Sequence, residues 1–138
     1  MFLDASAIVA ILGREPGHAE IETRLASGSE FYVSPMVRFE ASVALARQKA
    51  GSGSRPSPRL ILQAAAAVET FITDLGAREV PITAQTGSMA LEACARFGKA
   101  VGHEADLNFG DCFAYACAYA LRVPLVYKGN DFSRTDLG

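Results

Sequence analysis

Short apolar runs that end in polar residues alternate along this chain with longer, alanine-rich segments. The runs Phe2-Leu3, Phe31-Tyr32-Val33, Glu79-Val80-Pro81-Ile82 and Leu125-Val126-Tyr127 carry aromatic and β-branched residues and predict four short strands. Between them, apolar residues recur at three- and four-residue intervals over roughly 6–13, 17–27, 35–50, 59–75, 84–98 and 109–122, which predicts helices. Alternation of this kind implies an α/β domain in which helices cover both faces of a short parallel sheet. Ligands bind such sheets beyond the carboxyl ends of the strands, so polar residues that directly follow a strand are the first candidates for chemistry. One stretch departs from the pattern: Gly51-Ser52-Gly53-Ser54-Arg55-Pro56-Ser57-Pro58 has no apolar periodicity and reads as a mobile loop between two helices.

A chain of 138 residues is the size of one domain, here spanning residues 1–138, and it can bury a core without disulfides or structural metal. Half of its residues are apolar, 24 of them are alanine and none is tryptophan, which favours closely packed helices over an aromatic-rich β-sandwich. Cys94, Cys112 and Cys117 are odd in number and show no CxxC spacing, and His18 and His103 stand apart. Neither a disulfide framework nor a zinc site is indicated, and a reducing cytoplasm is the expected compartment. The apolar N-terminus is interrupted by Asp4 and preceded by no basic residue, so neither a signal peptide nor a membrane span is expected. The net charge of −2 argues against a protein that coats polyanions in general.

Four carboxylates change that picture. Asp4 directly follows the first strand and reads equally as an N-cap for the next helix or as a site residue. Glu40 has Met36, Val37, Val43 and Ala44 as its same-face neighbours, all apolar, so packing would strip it of water unless a cation compensates. A buried arginine or a bound metal would each serve. Asp111 falls at the third position of a helix that Asn108 can cap, a favourable place for an acid, yet its neighbours Ala114 and Tyr115 also turn its face inward. Gly110 beside it weakens the helix, and its lack of a side chain would let another group approach closely. Asp131 follows the last strand within Gly129-Asn130-Asp131, a sequence ordinary in turns. Two acids after strands and two on inward helix faces can converge at one sheet edge, where like charges require a cation. With no His or Cys among them, Mg²⁺ fits best, with Mn²⁺ as the other ion such a set accepts, and phosphodiester hydrolysis is the chemistry this suits.

Asp4-Ala5-Ser6-Ala7 after the first strand, Glu40 on the third helix, the run from Leu107 to Ala116 and the run from Tyr127 to Asp136 together resemble PIN-domain ribonucleases of the VapC toxin type. The resemblance covers essentially the whole chain and implies a PIN-like three-layer α/β/α fold. It also implies an Mg²⁺-dependent endoribonuclease of a type II toxin–antitoxin pair, homodimeric and neutralised by a cognate VapB-type antitoxin. By the same resemblance Asp4 and Asp111 bind metal, Glu40 completes the acidic site and Ser6 hydrogen-bonds within it. Asp131 is the best candidate for the fourth acid, ahead of Asp106 and Asp136.

RNA binding also needs positive charge. Between Arg38 and Arg59 the bases Arg38, Arg47, Lys49, Arg55 and Arg59 face a single acid, Glu40, and Arg38, Arg47, Lys49 and Arg55 are the candidate RNA contacts. A solvated helix face would show the same run. The alternating Ala-Tyr-Ala-Cys segment that holds Cys112, Tyr115 and Tyr119 is assigned to the core or a dimer contact, and the resemblance implies an antitoxin groove for which residues 8–12 and 19–25 are the expected walls. Two other readings share the α/β pattern: a receiver-like phospho-acceptor domain, which would not require Glu40 on an apolar face, and a non-catalytic binding module whose acids pair with arginine.

Overall fold

Four strands of two residues each lie at the centre: β1 (Phe2–Leu3), β2 (Tyr32–Val33), β3 (Arg78–Glu79) and β4 (Leu125–Val126). In the computed structural model, which describes residues 1–138, they form one parallel sheet in the order β3-β2-β1-β4. Phe2 stands opposite both Tyr32 and Leu125, and Val33 opposite Glu79. Phe2, Leu3, Val33, Leu125 and Val126 are wholly buried, as residues of a sheet covered on both faces must be. β3 is the exception. It pairs one residue earlier than the apolar pattern predicts, because the ladder to β2 takes the exposed Arg78 and Glu79, and Pro81 has no N–H with which to continue it.

Six helices flank the sheet: α1 (Ala5–Leu12), α2 (His18–Ala26), α3 (Pro35–Ala50), α4 (Pro58–Leu75), α5 (Ala84–Phe97) and α6 (Phe109–Leu121). Their boundaries are written in capping chemistry. Ser34 and Ser57 accept from Val37 and Leu60 N–H and are each followed by a proline at the first helical position, where a missing N–H costs nothing. Thr83 with Thr86, and Asn108 with Asp111, close reciprocal capping boxes at the starts of α5 and α6. Two 3₁₀ turns, Lys99–Val101 and Phe132–Arg134, interrupt segments that sequence periodicity leaves unassigned. Residues 51–57 form the connection between α3 and α4, as the breakers there predict.

α1, α2, α3 and α4 pack on one another, α5 pairs with α6, and α3 also reaches α6. Buried alanines on α1, α3, α4 and α6 (Ala7, Ala41, Ala64, Ala116) let these helices approach closely, as the alanine-rich composition leads one to expect. Cys112 and Tyr115 belong to this core, whereas Tyr119 is half exposed and stacks on Tyr115. The three cysteines are free. No helix is long and apolar enough to cross a membrane. After β1 the chain builds β2 and β3 on one side and later places β4 on the other. The order therefore reverses at β1, where α/β sheets open a crevice beyond their carboxyl ends.

Candidate active site

That crevice is a cavity of about 530 Å³, and Asp4, Glu40, Asp111 and Asp131 all line it, together with Ser6, Asn108 and Arg47. The topology explains the convergence. Asp4 leaves β1 and Asp131 follows β4, two adjacent strands, while Glu40 and Asp111 project from the helices α3 and α6 where these meet. A larger apolar hollow between α5 and α6, lined by Leu91, Cys94, Leu107, Phe109 and Phe113, holds none of the acids.

Two of the acids are fixed by hydrogen bonds of their local fold. Asp4 Oδ2 accepts from Ser6 N–H at 2.9 Å and Ser6 Oγ–H at 2.5 Å, so the N-cap of α1 is also a residue that lines the cavity. Ser6 Oγ in turn accepts from the Lys128 N–H at 3.0 Å, tying the end of β1 to the segment after β4. Asp111 Oδ2 accepts from Asn108 N–H at 2.9 Å within the capping box, and its Oδ1 has no protein partner. Glu40 makes neither hydrogen bond nor ion pair. It occupies the space that Gly110 leaves open: a Cβ on Gly110 would stand 1.9 Å from Glu40 Oε1. Asp131 is exposed at the rim of the cavity.

The electrostatics follow from burial. Asp4, 4% exposed, is held above the usual carboxylate range by loss of hydration, which the Ser6 bonds only partly oppose and the Asp131 charge reinforces. Burial, followed by the charges of Asp4 and Asp111, pushes Glu40 up to about 7. Burial also raises Asp111 to about 6, against the Asn108 hydrogen bond and helped by Asp4 and Asp131. None of the four pairs with a protein cation, so no buried arginine neutralises Glu40. An all-oxygen set of unpaired carboxylates with an open Asp111 oxygen fits a hard divalent cation. No three acids form a ready-made cage.

The remaining sequence candidates divide. Of the four basic residues proposed as RNA contacts, only Arg47 lines the cavity. Arg38 is held by Glu69 and, at 2.8 Å, by Glu79, because its position on α3 faces α4 and β3; Lys49 and Arg55 are exposed outside the lining. Asp136 turns away from the cavity to Tyr115 and Arg96, and Asp106 to Lys99. Two lining residues escaped the sequence reading, Phe39 and Glu15. Phe39 is 70% exposed beside Glu40. Glu15 lies in Gly13-Arg14-Glu15-Pro16-Gly17, where an acid among turn residues carries no signal of its own.

Comparison with known proteins bears on what this arrangement does. The family model of the PIN domain matches residues 1–137. A VapC ribonuclease of Rhizobium meliloti is 52% identical over 140 residues, covering 99% of each chain. Ribonuclease VapC28 of Mycobacterium tuberculosis is 38% identical over 135 residues, covering 98% of this chain and 93% of that one. The crystal structure of Mycobacterium tuberculosis VapC20, described as a sarcin-ricin loop cleaving toxin, shares the fold with a TM-score of 0.72 at 20% identity, over 99% of this chain and 95% of that chain. Matches of this length exclude a receiver-like domain and a non-catalytic module. The chain belongs to the PIN-domain family, among its VapC ribonucleases.

Proposed function

We propose that this ribonuclease hydrolyses RNA phosphodiester bonds at the acidic crevice with Mg²⁺ or Mn²⁺ as its cofactor, Asp4 and Asp111 being the metal ligands. The observation that carries the reading is that four carboxylates, two of them buried, share one cavity and none of them is ion-paired with a cation of the protein. A divalent ion, when bound, supplies charge neutralisation, polarisation of the phosphate and a water made acidic enough to attack near neutral pH. Ser6 orients Asp4 and Asn108 orients Asp111, each by a hydrogen bond to the carboxylate oxygen designated Oδ2. Glu40, near 7, would take a proton from the attacking water, and Asp131 at the rim adds negative charge to the crevice. Arg47, the one basic residue that lines the cavity, contacts the RNA backbone.

The test is cleavage of RNA by the purified protein in Mg²⁺ or Mn²⁺, wild type against Asp4→Asn and Asp111→Asn. Each variant should lose more than the roughly 10–100-fold that removing a ligand's hydrogen-bond partner typically costs. Equal activity in all three would sink the assignment.

As a toxin of the VapC type the protein would act in the cytoplasm, as a homodimer, and be neutralised by a VapB-type antitoxin. Sizing at twice the 14.6 kDa protomer checks the dimer. Of the segments expected to wall an antitoxin groove, Ile8, Ile21 and Leu25 point into the core. Leu12 remains at the surface, beside Ala67, Phe71 and Leu75 of α4, and this shallow groove is the better candidate.

A further inference from the structure

Among the acids of the crevice, Glu15 alone is paired. Its Oε2 holds the Lys128 ammonium, and its Oε1 accepts from Gln48 Nε2 at 2.8 Å. Glu15 lines the cavity, and through it Gln48 of α3 and Lys128 of the segment after β4 are joined at its edge. Lys128 is fixed at its root, since its N–H donates to the same Ser6 hydroxyl that supports Asp4, and it stands three residues before Asp131. Its side chain therefore leaves the backbone between a buried acid of the site and the acid at the rim, and then turns to Glu15. The pair is partly open to water, with side-chain exposures of 35% for Lys128 and 25% for Glu15. An ion pair of that exposure is weak, and an incoming anion can displace one partner.

We propose that Lys128 is an RNA-binding residue held in reserve by Glu15: a substrate phosphate at the mouth takes the ammonium from Glu15, and Glu15 thereby sets how tightly RNA is held. The crevice has a physical need for such a device. Its unpaired carboxylates repel a phosphodiester, and a permanently free lysine beside them would collapse onto those carboxylates and compete with metal. Glu15 keeps the cation at the mouth without letting it into the metal site. The inference rests on the ribonuclease reading, which supplies the phosphate, but assigns Lys128 and Glu15 a role the family match does not.

The test is the salt dependence of KM for cleavage of a single-stranded oligoribonucleotide, with thermal unfolding measured in parallel. Glu15→Gln keeps the shape, and with its amide oxygen toward Gln48 it retains that hydrogen bond, while its amide NH2 cannot accept from Lys128; the ammonium is freed, so KM should fall and its salt dependence steepen. Adding Lys128→Met to that variant should make the slope shallower by about 0.7, the value of one phosphate contact on a single strand. Lys128→Arg, which keeps the charge, should preserve the wild-type slope. If Glu15→Gln matches wild type in KM and slope, or if the double variant keeps the slope of Glu15→Gln while only its unfolding temperature drops, the pair is a strap between the α1–α2 turn and the segment after β4, and the proposal fails. Absence of cleavage by the wild-type protein would instead remove the ribonuclease reading beneath it.

Discussion

Gly110 and Glu40 are a matched pair, one residue defined by what the other lacks. A glycine inside a helix costs roughly 1 kcal/mol relative to alanine, and here it gives the Glu40 carboxylate a seat that any Cβ would fill. Gly110→Ala should therefore separate stability from function. The helix gains propensity while the carboxylate, the free end of a flexible side chain, is pushed aside, so thermal unfolding should change little and RNA cleavage should fall roughly a hundredfold, the scale of a 1 Å misplacement. Unchanged cleavage would mean that the position of Glu40 does not matter. Asp4 and Asp111 show the same economy. In each, Oδ2 serves the start of a helix, Asp4 as the N-cap of α1 and Asp111 within the capping box of α6, while the same carboxylate lines the crevice.

At the scale of elements, α6 links the site to the C-terminal segment. Tyr115 OH donates to Asp136 at 2.7 Å, Arg96 of α5 reaches the same carboxylate at 3.0 Å, and Phe132 is buried beneath them. Burial and the Asp136 hydrogen bond raise Tyr115 to about 12, and the tyrosine and arginine bonds hold Asp136 below the ordinary range. These contacts pin the turn that begins at Asp131. Tyr115→Phe should cost about 1 kcal/mol in chemical denaturation, the usual worth of one hydrogen bond, and leave the metal requirement of cleavage unchanged. A neutral result would show that Phe132 alone holds the turn. The aspartate that the sequence offers as a substitute fourth acid thus anchors the element that presents Asp131.

At the scale of the molecule, the crevice makes stability depend on pH and metal together. Glu40 near 7, Asp111 near 6 and the raised Asp4 bind protons more tightly in the folded chain than in the unfolded one. Between the unfolded carboxylate values near 4 and the folded values of 6 to 7, the folded state holds more protons, so stability should fall as pH rises through that window. The metal-free protein should melt at a higher temperature near pH 5 than near pH 8. Mg²⁺ or Mn²⁺ should reverse the loss at the upper end, since it binds only the deprotonated folded site. A melting curve equally insensitive to divalent ions at both pH values would exclude this coupling. The net charge of −2 is likewise an average: with the four unpaired crevice acids Asp4, Glu40, Asp111 and Asp131 set aside, the remainder is +2.

The sequence by itself determined the elements and the chemistry. Apolar periodicity and capping residues are local, so the six helices, three of the strands and the four acids could be read without knowing what packs where. The edge strand was misplaced because its two residues are exposed and charged, and its register is set by the backbone of β2. The basic run from Arg38 to Arg59 looked like one RNA-binding surface in linear order. A helix turns successive residues to different faces, so Arg38 went to Glu69 and Glu79 and only Arg47 reached the crevice. Glu15, Gln48 and Lys128 come from three distant segments, and nothing local marks their meeting. Which side chains share a cavity depends on strand order and helix contact, and these exist only once the chain has folded.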